Sequence, residues 1–337
     1  MTKPAKLLWE PAIYEHKAAL IGHRPTDVGR SAELLLQALQ AEYRAYRADF
    51  MTVGVDVYNV EAEACGAVPV SSADDQCPEI TVPIWSLDEL SSRLIVPSVP
   101  VSGRFQLLLE AATRFRSWLA GEAPDGPLPA VRVAASGPVT LAAKLVGTEP
   151  LLMGLAAEDP PALRLIDFAT EFAESWVTAI REAGLDAIVF DSTASPPMLG
   201  PVLYRDVVLP LHTRLMRRLE RLQQGTRPLV LGGDTTSIAA YLSATGANQV
   251  VCDYAAEAAG FAASLAATHP PESLSVRRNV NPALLSVDDP NPVVASYCTD
   301  LARLPNPVAG TGILPYDQDP GHYREFRSLV ERRFGSD

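Results

Sequence analysis

The chain has 337 residues and a formal net charge of −12 at pH 7. Hydrophobic residues make up 47% of it and charged residues 20%, a balance typical of a folded globular protein rather than a disordered or fibrous one. The negative charge opposes binding to nucleic-acid phosphates and to anionic lipid, because both ligands need a positive field. We therefore expect neither a nucleic acid nor a membrane among its partners.

Targeting signals and cysteine motifs are not recognisable in this sequence. The first residues, MTKPAKLLWEPAIYEHK, contain no apolar segment before a cleavage site, and no run of about 18 apolar residues follows. The four cysteines at positions 65, 77, 252 and 298 lack CxxC spacing, which predicts neither a disulfide framework nor a zinc knuckle. We expect a cytoplasmic protein with a single domain over residues 1–337.

The first predicted element is a helical prelude over residues 1–48. Within it, Leu35, Leu39, Tyr43 and Tyr46 share one face at helical spacing. Farther along, residues 71–128 are rich in Pro, Ser and acidic residues. We interpret them as an insertion that forms a lid or an oligomer contact.

Short apolar runs dominate the rest of the chain and alternate with amphipathic helical stretches. In chain order they are FMTVGVDVYNV, AVRVAAS, AIVFDS, PLVLGGD, QVVCDY, SLSVRRNV and PVAGTGI. Such repetition predicts parallel strands that are buried on both faces, and seven or eight units favour an α/β fold of the (β/α)8 TIM-barrel type with an N-terminal helical extension. An open doubly wound sheet is the alternative, although neither GxGxxG after the first strand nor GxxxxGK[ST] is found.

Polar residues that follow these runs are the candidates for a site, because a parallel barrel carries its reactive face at the carboxyl ends of its strands. Carboxylates that face one cavity raise one another's pKa or need a cation such as Arg277 to stay ionised. We predict catalytic roles for four of them, Glu61, Glu63, Asp191 and Asp253. Substrate-binding roles are predicted for Asp56, Asp234, Thr235, Arg278, Asn279, Thr311 and Tyr316.

Several candidates also have a purely structural interpretation. Asp234 precedes TTSIAAYL and could cap that helix, whereas Asp191 does not directly precede a helix, which favours a site role. Glu61 and Glu63 share a face only in an extended segment and otherwise mark a solvated helix start. For Cys252 the pattern favours a small buried hydrophobe, because free Cys is often buried. The histidines lie away from the strand ends, so we expect no catalytic histidine.

Five segments in this order resemble the uroporphyrinogen decarboxylase superfamily. They are ASGPVTLAAKLVG, the strand that ends at Asp191, LGGDTTSI, RRNVNPALL and GTGILPYDQDPGHYREF, and the resemblance runs from about residue 40 to the end. It implies a (β/α)8 barrel, a homodimer, and one of two reactions. These are decarboxylation of the acetate arms of uroporphyrinogen and methyl transfer between a corrinoid and a thiol.

Two motifs favour the methyltransferase branch. VEAEACGA at 60–67 resembles the VEAEALGA of corrinoid-dependent methyltransferases, and GDTTSI at 233–238 resembles the stretch that follows their zinc-binding His and Cys. The Arg-rich amino-terminal segment of true decarboxylases is not found here. The resemblance thus implies a corrinoid as the methyl donor and a corrinoid protein as a possible partner.

The chain departs from both branches at the positions that carry chemistry. Val230 and Gly232 stand in place of the zinc-binding His and Cys, and Thr311 stands in place of the later Cys and of the decarboxylase His. Neither Val, Gly nor a neutral Thr offers the imidazole or thiolate of such a site, so we predict no metal ligands and no zinc of the family type. Lys144 stands near a decarboxylase Tyr, and we predict that it binds substrate.

Three functions follow from these observations. The first is methyl transfer from a corrinoid or related donor without the usual zinc site. The second is decarboxylation of a porphyrinogen or another polycarboxylate, with Lys144, Asp191 and Arg278 binding a carboxylate. The third is a non-catalytic tetrapyrrole-binding protein. A small molecule or a tetrapyrrole is the substrate class common to these hypotheses.

Overall fold

The computed structural model describes residues 6–90, 94–97, 103–122, 127–268 and 272–334. In these ranges eight strands form two four-stranded parallel sheets with the orders β1-β8-β7-β6 and β2-β3-β4-β5. The strands are β1 (Leu8–Ala12), β2 (Phe50–Val53), β3 (Ala130–Ser136), β4 (Asp186–Phe190), β5 (Leu229–Val230), β6 (Gln249–Cys252), β7 (Ser275–Val280) and β8 (Pro307–Ile313).

The two sheets contact each other along two seams, and one backbone contact is found at each. Pro228, just before β5, forms a parallel bridge with Gln249 of β6. At the other seam, the backbone N–H of Asp49 donates to the carbonyl of Trp9 at 2.9 Å. The strands therefore follow one another in chain order around a ring, and the predicted (β/α)8 barrel is confirmed.

The helices lie between the strands or extend the ends of the chain. They are α1 (His16–Ala19), α2 (Pro25–Val28), α3 (Ala32–Tyr46), α4 (Val60–Ala64), α5 (Gly103–Glu122), α6 (Pro138–Val146), α7 (Thr148–Ala156), α8 (Pro160–Glu182), α9 (Pro196–Leu203), α10 (Leu209–Leu222), α11 (Ala239–Ala244), α12 (Ala258–Ala266), α13 (Asn291–Leu301) and α14 (Pro320–Phe334). Over the part of the chain described, no single helix is long and apolar enough to cross a membrane. Only α6 and α7 taken together meet that criterion, and they are bent by 117° at their junction.

The sheet begins earlier in the sequence than we predicted. Each of the seven apolar runs overlaps one of the strands β2–β8, but β1 lies inside the predicted helical prelude. Its sequence, LWEPA, carries Glu10 and Pro11 and so lacks a continuous apolar run. Helices α1–α3 account for the remainder of the prelude, and the predicted face of α3 is buried.

The predicted insertion at 71–128 includes a helix of the barrel. Helix α5 connects β2 to β3 and buries Phe105, Leu108, Phe115 and Leu119. The loop before α5 carries a short antiparallel bridge between residues 70 and 79. Residues 91–93, 98–102 and 123–126 of the predicted insertion lie outside the described residues. Because α5 is part of the barrel, the prediction of a lid or an oligomer contact now concerns only the loop before α5.

Candidate functional site

The carboxyl ends of the strands surround a cavity of about 350 Å³, which we call the mouth cavity. It lies where parallel barrels carry their active sites. One part of its wall is apolar and includes Ala12, Val230, Leu231, Val251 and Ile313. The polar part of the wall consists of Tyr14, Tyr58, Asp253, Arg277 and Asn279, with Tyr254 at the rim.

Arg277 belongs to a buried charged layer below the mouth cavity. Glu10 Oε1 accepts a hydrogen bond from Arg277 Nη1 at 2.9 Å, and Glu10 Oε2 accepts from Arg132 Nη1 at 3.1 Å and from Gln249 Nε2 at 2.7 Å. Burial pushes the pKa of Glu10 upward, but the attraction of both guanidinium groups and the hydrogen bonds outweigh burial and lower it. Glu10 is therefore ionised at neutral pH.

This layer contains one more positive than negative charge. Two guanidinium groups face one carboxylate, and a guanidinium remains protonated in proteins. Arg277 is only 4% exposed, and the one hydrogen bond that its guanidinium donates among the described residues goes to Glu10. Since a buried charge needs a compensating partner, this excess favours a carboxylate or another anion on the mouth-cavity side of Arg277, where Asp253 also lies.

Two tyrosines supply neutral donors beside Arg277. Tyr14 and Tyr58 each pack edge-on against Phe190, with ring centroids 5.8 and 5.9 Å apart, respectively. Burial raises the pKa of Tyr14 well above its ordinary value and raises that of Tyr58 to about 12. Both phenols therefore keep their protons at neutral pH and can donate hydrogen bonds to an anion.

Asp253 supplies an acceptor at the rim of the same cavity. Its Oδ2 accepts from Asn279 Nδ2 at 3.1 Å, and its Oδ1 accepts from the N–H of Ala255 at 3.1 Å. The carboxylate is thereby held in one orientation while it stays partly exposed. The mouth cavity thus combines a cation, two neutral O–H donors and one carboxylate that could take up a proton.

Alternation along β7 decides which arginine reaches the cavity. Arg277 and Asn279 line the cavity, whereas Arg278 points to the helix side. There, Arg278 donates to Cys252 Sγ at 3.3 Å and to Asp300 at 2.7 Å. Burial raises the pKa of Cys252 to about 11, which keeps its thiol protonated. The structure therefore places the predicted Asn279 in the cavity but not the predicted Arg278.

Asp191 lies in a different network, which is fully buried. Its carboxylate accepts from the N–H groups of Val139 at 3.1 Å and Thr140 at 2.7 Å, in the first turn of α6. His212 Nε2 contacts Asp191 Oδ2 at 2.9 Å, and His212 Nδ1 contacts the hydroxyl of Tyr204 at 3.1 Å. Asp191 therefore caps a helix that precedes it in the chain, and it does not line the mouth cavity.

Glu61 and Glu63 are separated because the segment is helical. Glu61 is buried in α4 and accepts from the N–H of Ser136 at 2.7 Å and from its hydroxyl at 2.9 Å. Burial raises its pKa. Glu63 points to the outside of the barrel, where Arg104 Nη1 lies 3.2 Å from it and 2.8 Å from Asp56. The structure brings Asp56 and Glu63 together through Arg104, away from the mouth cavity.

The remaining strand-end candidates form local hydrogen bonds. Asp234 accepts from the N–H of Thr236 at 2.9 Å, which agrees with its capping interpretation. Thr235 contacts the carbonyl of Val251 at 3.4 Å, and buried Thr311 accepts from the N–H of Ala12 at 3.2 Å. Tyr316 donates to the carbonyl of residue 23. Lys144 lines a second cavity, which is described below.

Sequence analysis missed three residues that shape the mouth cavity. Glu10 and Tyr14 were hidden because β1 was not recognised as a strand. Tyr58 lies inside the first apolar run, FMTVGVDVYNV, from which we selected only Asp56. An acidic residue inside a short apolar segment before the first helix is the signal that could have revealed β1.

The family described as Uroporphyrinogen decarboxylase (URO-D) matches residues 12–300. The chain belongs to the URO-D family. The match covers most of the barrel, including β2–β7 and the residues that line the polar wall.

Curated relatives carry both family reactions in their names. A uroporphyrinogen decarboxylase of Xanthomonas campestris pv. campestris (strain B100) is 29% identical over 245 residues, which cover 67% of this chain and 62% of that protein. This chain thus covers less than two thirds of that relative's length. A uroporphyrinogen decarboxylase of Xanthomonas axonopodis pv. citri (strain 306) is 28% identical over 271 residues, or 76% of this chain and 68% of that protein.

Methyltransferases are similar to the chain over a short segment and in fold. Methylcobamide:CoM methyltransferase MtbA of Methanosarcina acetivorans is 31% identical over 90 residues, 26% of each protein. A solved structure, a methyltransferase from Methanosarcina mazei, has a TM-score of 0.79 at 16% identity and covers 99% of this chain and 95% of that one. The second match confirms the barrel fold. The URO-D members named here are enzymes, either decarboxylases or methyltransferases.

The zinc site of the methyltransferase branch does not fit the residues of this URO-D chain. Val230 and Gly232 line the mouth cavity without any donor side chain, and the Thr311 hydroxyl is engaged by the backbone of β1. Among the described residues, no group of three His, Cys, Asp or Glu side chains could hold a metal ion. We therefore derive no step through zinc of the family type.

Proposed function

We propose that the chain is a methyltransferase-like enzyme that moves a methyl group from a corrinoid to a small anionic acceptor in the mouth cavity, without the family zinc site. One observation carries the proposal: the buried guanidinium of Arg277, whose one hydrogen bond among the described residues goes to Glu10, lines a cavity of about 350 Å³. Ligand pockets for small molecules range over roughly 300–1,000 Å³, so this volume favours a small acceptor over a whole tetrapyrrole.

The polar wall can assist methyl transfer without a metal ion. Arg277 binds the anionic group of the acceptor, and the phenols of Tyr14 and Tyr58 donate hydrogen bonds to that group. Asp253 takes up the proton that the acceptor's nucleophilic atom loses as its bond to the methyl carbon forms. The corrinoid, when bound, supplies the methyl group and retains the electron pair of the broken bond.

The rim of the mouth cavity supports a donor that approaches from outside. Tyr254 and Ile313 are large side chains that stay exposed, by 45% and 47%, respectively. Tyr254 and Ile313 also line the cavity. Apolar surface at this position fits the flat face of a macrocycle, and the donor would be presented by a corrinoid protein.

Decarboxylation is the second candidate, because the more extensive curated matches are uroporphyrinogen decarboxylases. Against uroporphyrinogen itself, Arg277 is the one cation that lines the described wall of the mouth cavity, whereas that substrate carries several carboxylates. A smaller substrate with fewer carboxylates would match the single positive charge of Arg277 better. A non-catalytic tetrapyrrole-binding protein is the third candidate and predicts binding without turnover.

Two assays on one purified sample test the proposal. We expect absorbance to report demethylation of methylcobalamin with at least one small anionic acceptor, and CO2 release from uroporphyrinogen to be negligible. Asp253→Asn and Arg277→Gln should each lower kcat/KM at least about 100-fold, whereas the exposed Asp288→Asn should leave it unchanged. CO2 release without demethylation would favour the decarboxylase, and tetrapyrrole binding without either reaction would favour the binding protein.

The oligomeric state and the cellular location are also part of the proposal. By resemblance to the family, we propose a homodimer in the cytoplasm. Sedimentation of the purified protein and fractionation of the source cells would test these two points.

A further inference from the structure

A second cavity, of about 390 Å³, lies beside the mouth cavity. Its wall is formed by the loop at 79–83, by α6 and by the turn after β4, and it includes Lys144 and the hydroxyl groups of Thr140, Ser192 and Thr193. Tyr58 lines both cavities and so forms part of the boundary of each. We call the second cavity the side cavity.

Lys144 is the cation of the side cavity, and its present partner is easy to displace. Its Nζ lies 2.5 Å from Glu79 Oε2, with 21% of the Lys144 side chain and 60% of the Glu79 side chain exposed. Ion pairs that involve so exposed a partner contribute little to stability, because water screens them and the side chains lose freedom. A ligand anion that also reaches the nearby hydroxyls would compete successfully with Glu79.

The two cavities, which share Tyr58, therefore present one cation each. Arg277 is the cation of the mouth cavity, which also contains Asp253, and Lys144 is the cation of the side cavity, where it pairs with the exposed Glu79. We infer that the substrate is an elongated dianion, of the dicarboxylate class, with one anionic group on Arg277 and the other on Lys144 in place of Glu79. This inference deepens the proposed function and depends on it only for the role of Arg277.

Calorimetric titration of the whole chain tests the inference without any corrinoid. The probes are α,ω-dicarboxylates of increasing chain length and monocarboxylates of matching length. Wild-type protein should bind one dicarboxylate length at least about tenfold more tightly than the matching monocarboxylate, because a second charged contact is worth roughly that factor.

Variants of the side cavity separate this inference from the proposed function. Lys144→Gln should abolish the preference for dicarboxylates and leave monocarboxylate binding unchanged. Glu79→Gln should tighten dicarboxylate binding several-fold because it removes the competing carboxylate, and the exposed Glu89→Gln serves as the matched control without effect. Arg277→Gln should weaken the binding of both classes.

Three outcomes would overturn the inference. They are no binding of any carboxylate by folded wild-type protein, no preference for dicarboxylates at any length, and equal weakening of both classes by Lys144→Gln. Circular dichroism verifies that each variant is folded. Failure of methyl transfer would leave these binding results untouched, so the inference and the proposed reaction can fail separately.

Discussion

Arg277 and Glu10 form a buried ion pair inside the barrel, with 2.9 Å between Nη1 and Oε1. The two residues belong to β7 and β1 and are 267 positions apart in the sequence. Glu10 also forms an ion pair with Arg132. A residue of the first strand therefore holds Arg277, the cation on which the proposed anion site depends.

Replacement of Glu10 tests this dependence. Glu10→Gln would leave two guanidinium groups buried with no carboxylate between them. Breaking a buried ion pair by removing one partner costs about 3–5 kcal/mol, so we expect the free energy of unfolding to fall by that amount. Urea denaturation measures it, and Glu110→Gln on the exposed face of α5 is the control. A loss below about 1 kcal/mol for Glu10→Gln would contradict the structure.

Gly310 provides the space that Arg277 occupies. A Cβ atom at position 310 would lie 2.8 Å from Arg277 Cγ and 2.9 Å from the carbonyl oxygen of Glu10. We expect Gly310→Ala to displace the guanidinium and to weaken the binding of small carboxylates at least about tenfold by calorimetry. Gly121→Ala is the matched control, since its Cβ would meet no atom within 4 Å. Unchanged affinity in Gly310→Ala would argue against Arg277 as the anion site.

The structure assigns Asp191 to positioning helix α6. Asp191→Ala removes the acceptor of two helix N–H groups and the partner of His212, and hydrogen bonds to a charged group are worth about 1.5–3 kcal/mol. We expect a loss of about 2–3 kcal/mol in the free energy of unfolding, measured by denaturation. Gly137→Ala should also destabilise the fold, because its Cβ would lie 2.3 Å from Asp191 Cβ. If Asp191→Ala instead keeps full stability and loses only kcat, Asp191 acts on the substrate.

The pH dependence of stability should include a contribution from Glu61. Burial raises its pKa in the folded state, so folding favours the protonated form. The resulting stabilisation is complete below the unfolded-state pKa of about 4.3 and is lost as the pH rises through the folded-state value. Glu61→Gln removes this titration and can keep hydrogen bonds to Ser136.

Denaturation curves at several pH values test this expectation. Glu61→Gln should be at least as stable as wild type at about pH 7, and the difference should shrink toward about pH 4. Glu110→Gln, whose side chain is exposed, should show no such trend. The opposite sign, with Glu61→Gln less stable at the higher pH, would mean that the ionised form is the stabilising one.

Much of the barrel could be predicted from the sequence because β2–β8 lie in runs that are mostly apolar. The exception is β1, since Glu10 faces the interior, where Arg132 and Arg277 compensate its charge. Sequence patterns report which residues avoid water. They do not report charges that are buried together with distant partners.

The candidate site was predictable only at the level of strand ends. Asp253 and Asn279 reached the mouth cavity, but Asp191 caps a helix that precedes it in the chain, a contact that no local pattern reveals. The choice between Arg277 and Arg278 depended on the phase of the alternation along β7. That phase becomes visible only in the structure, where β8 pairs Val308 with Arg277 and the side chain of Arg277 packs against Gly310.

The most direct test of the account is the rate of methylcobalamin demethylation by protein whose zinc content has been measured and then reduced with a chelator. The account predicts that demethylation with a small anionic acceptor continues at the same rate after zinc is removed. Loss of the reaction together with zinc, or no demethylation with any acceptor, would contradict methyl transfer by the residues of the mouth cavity.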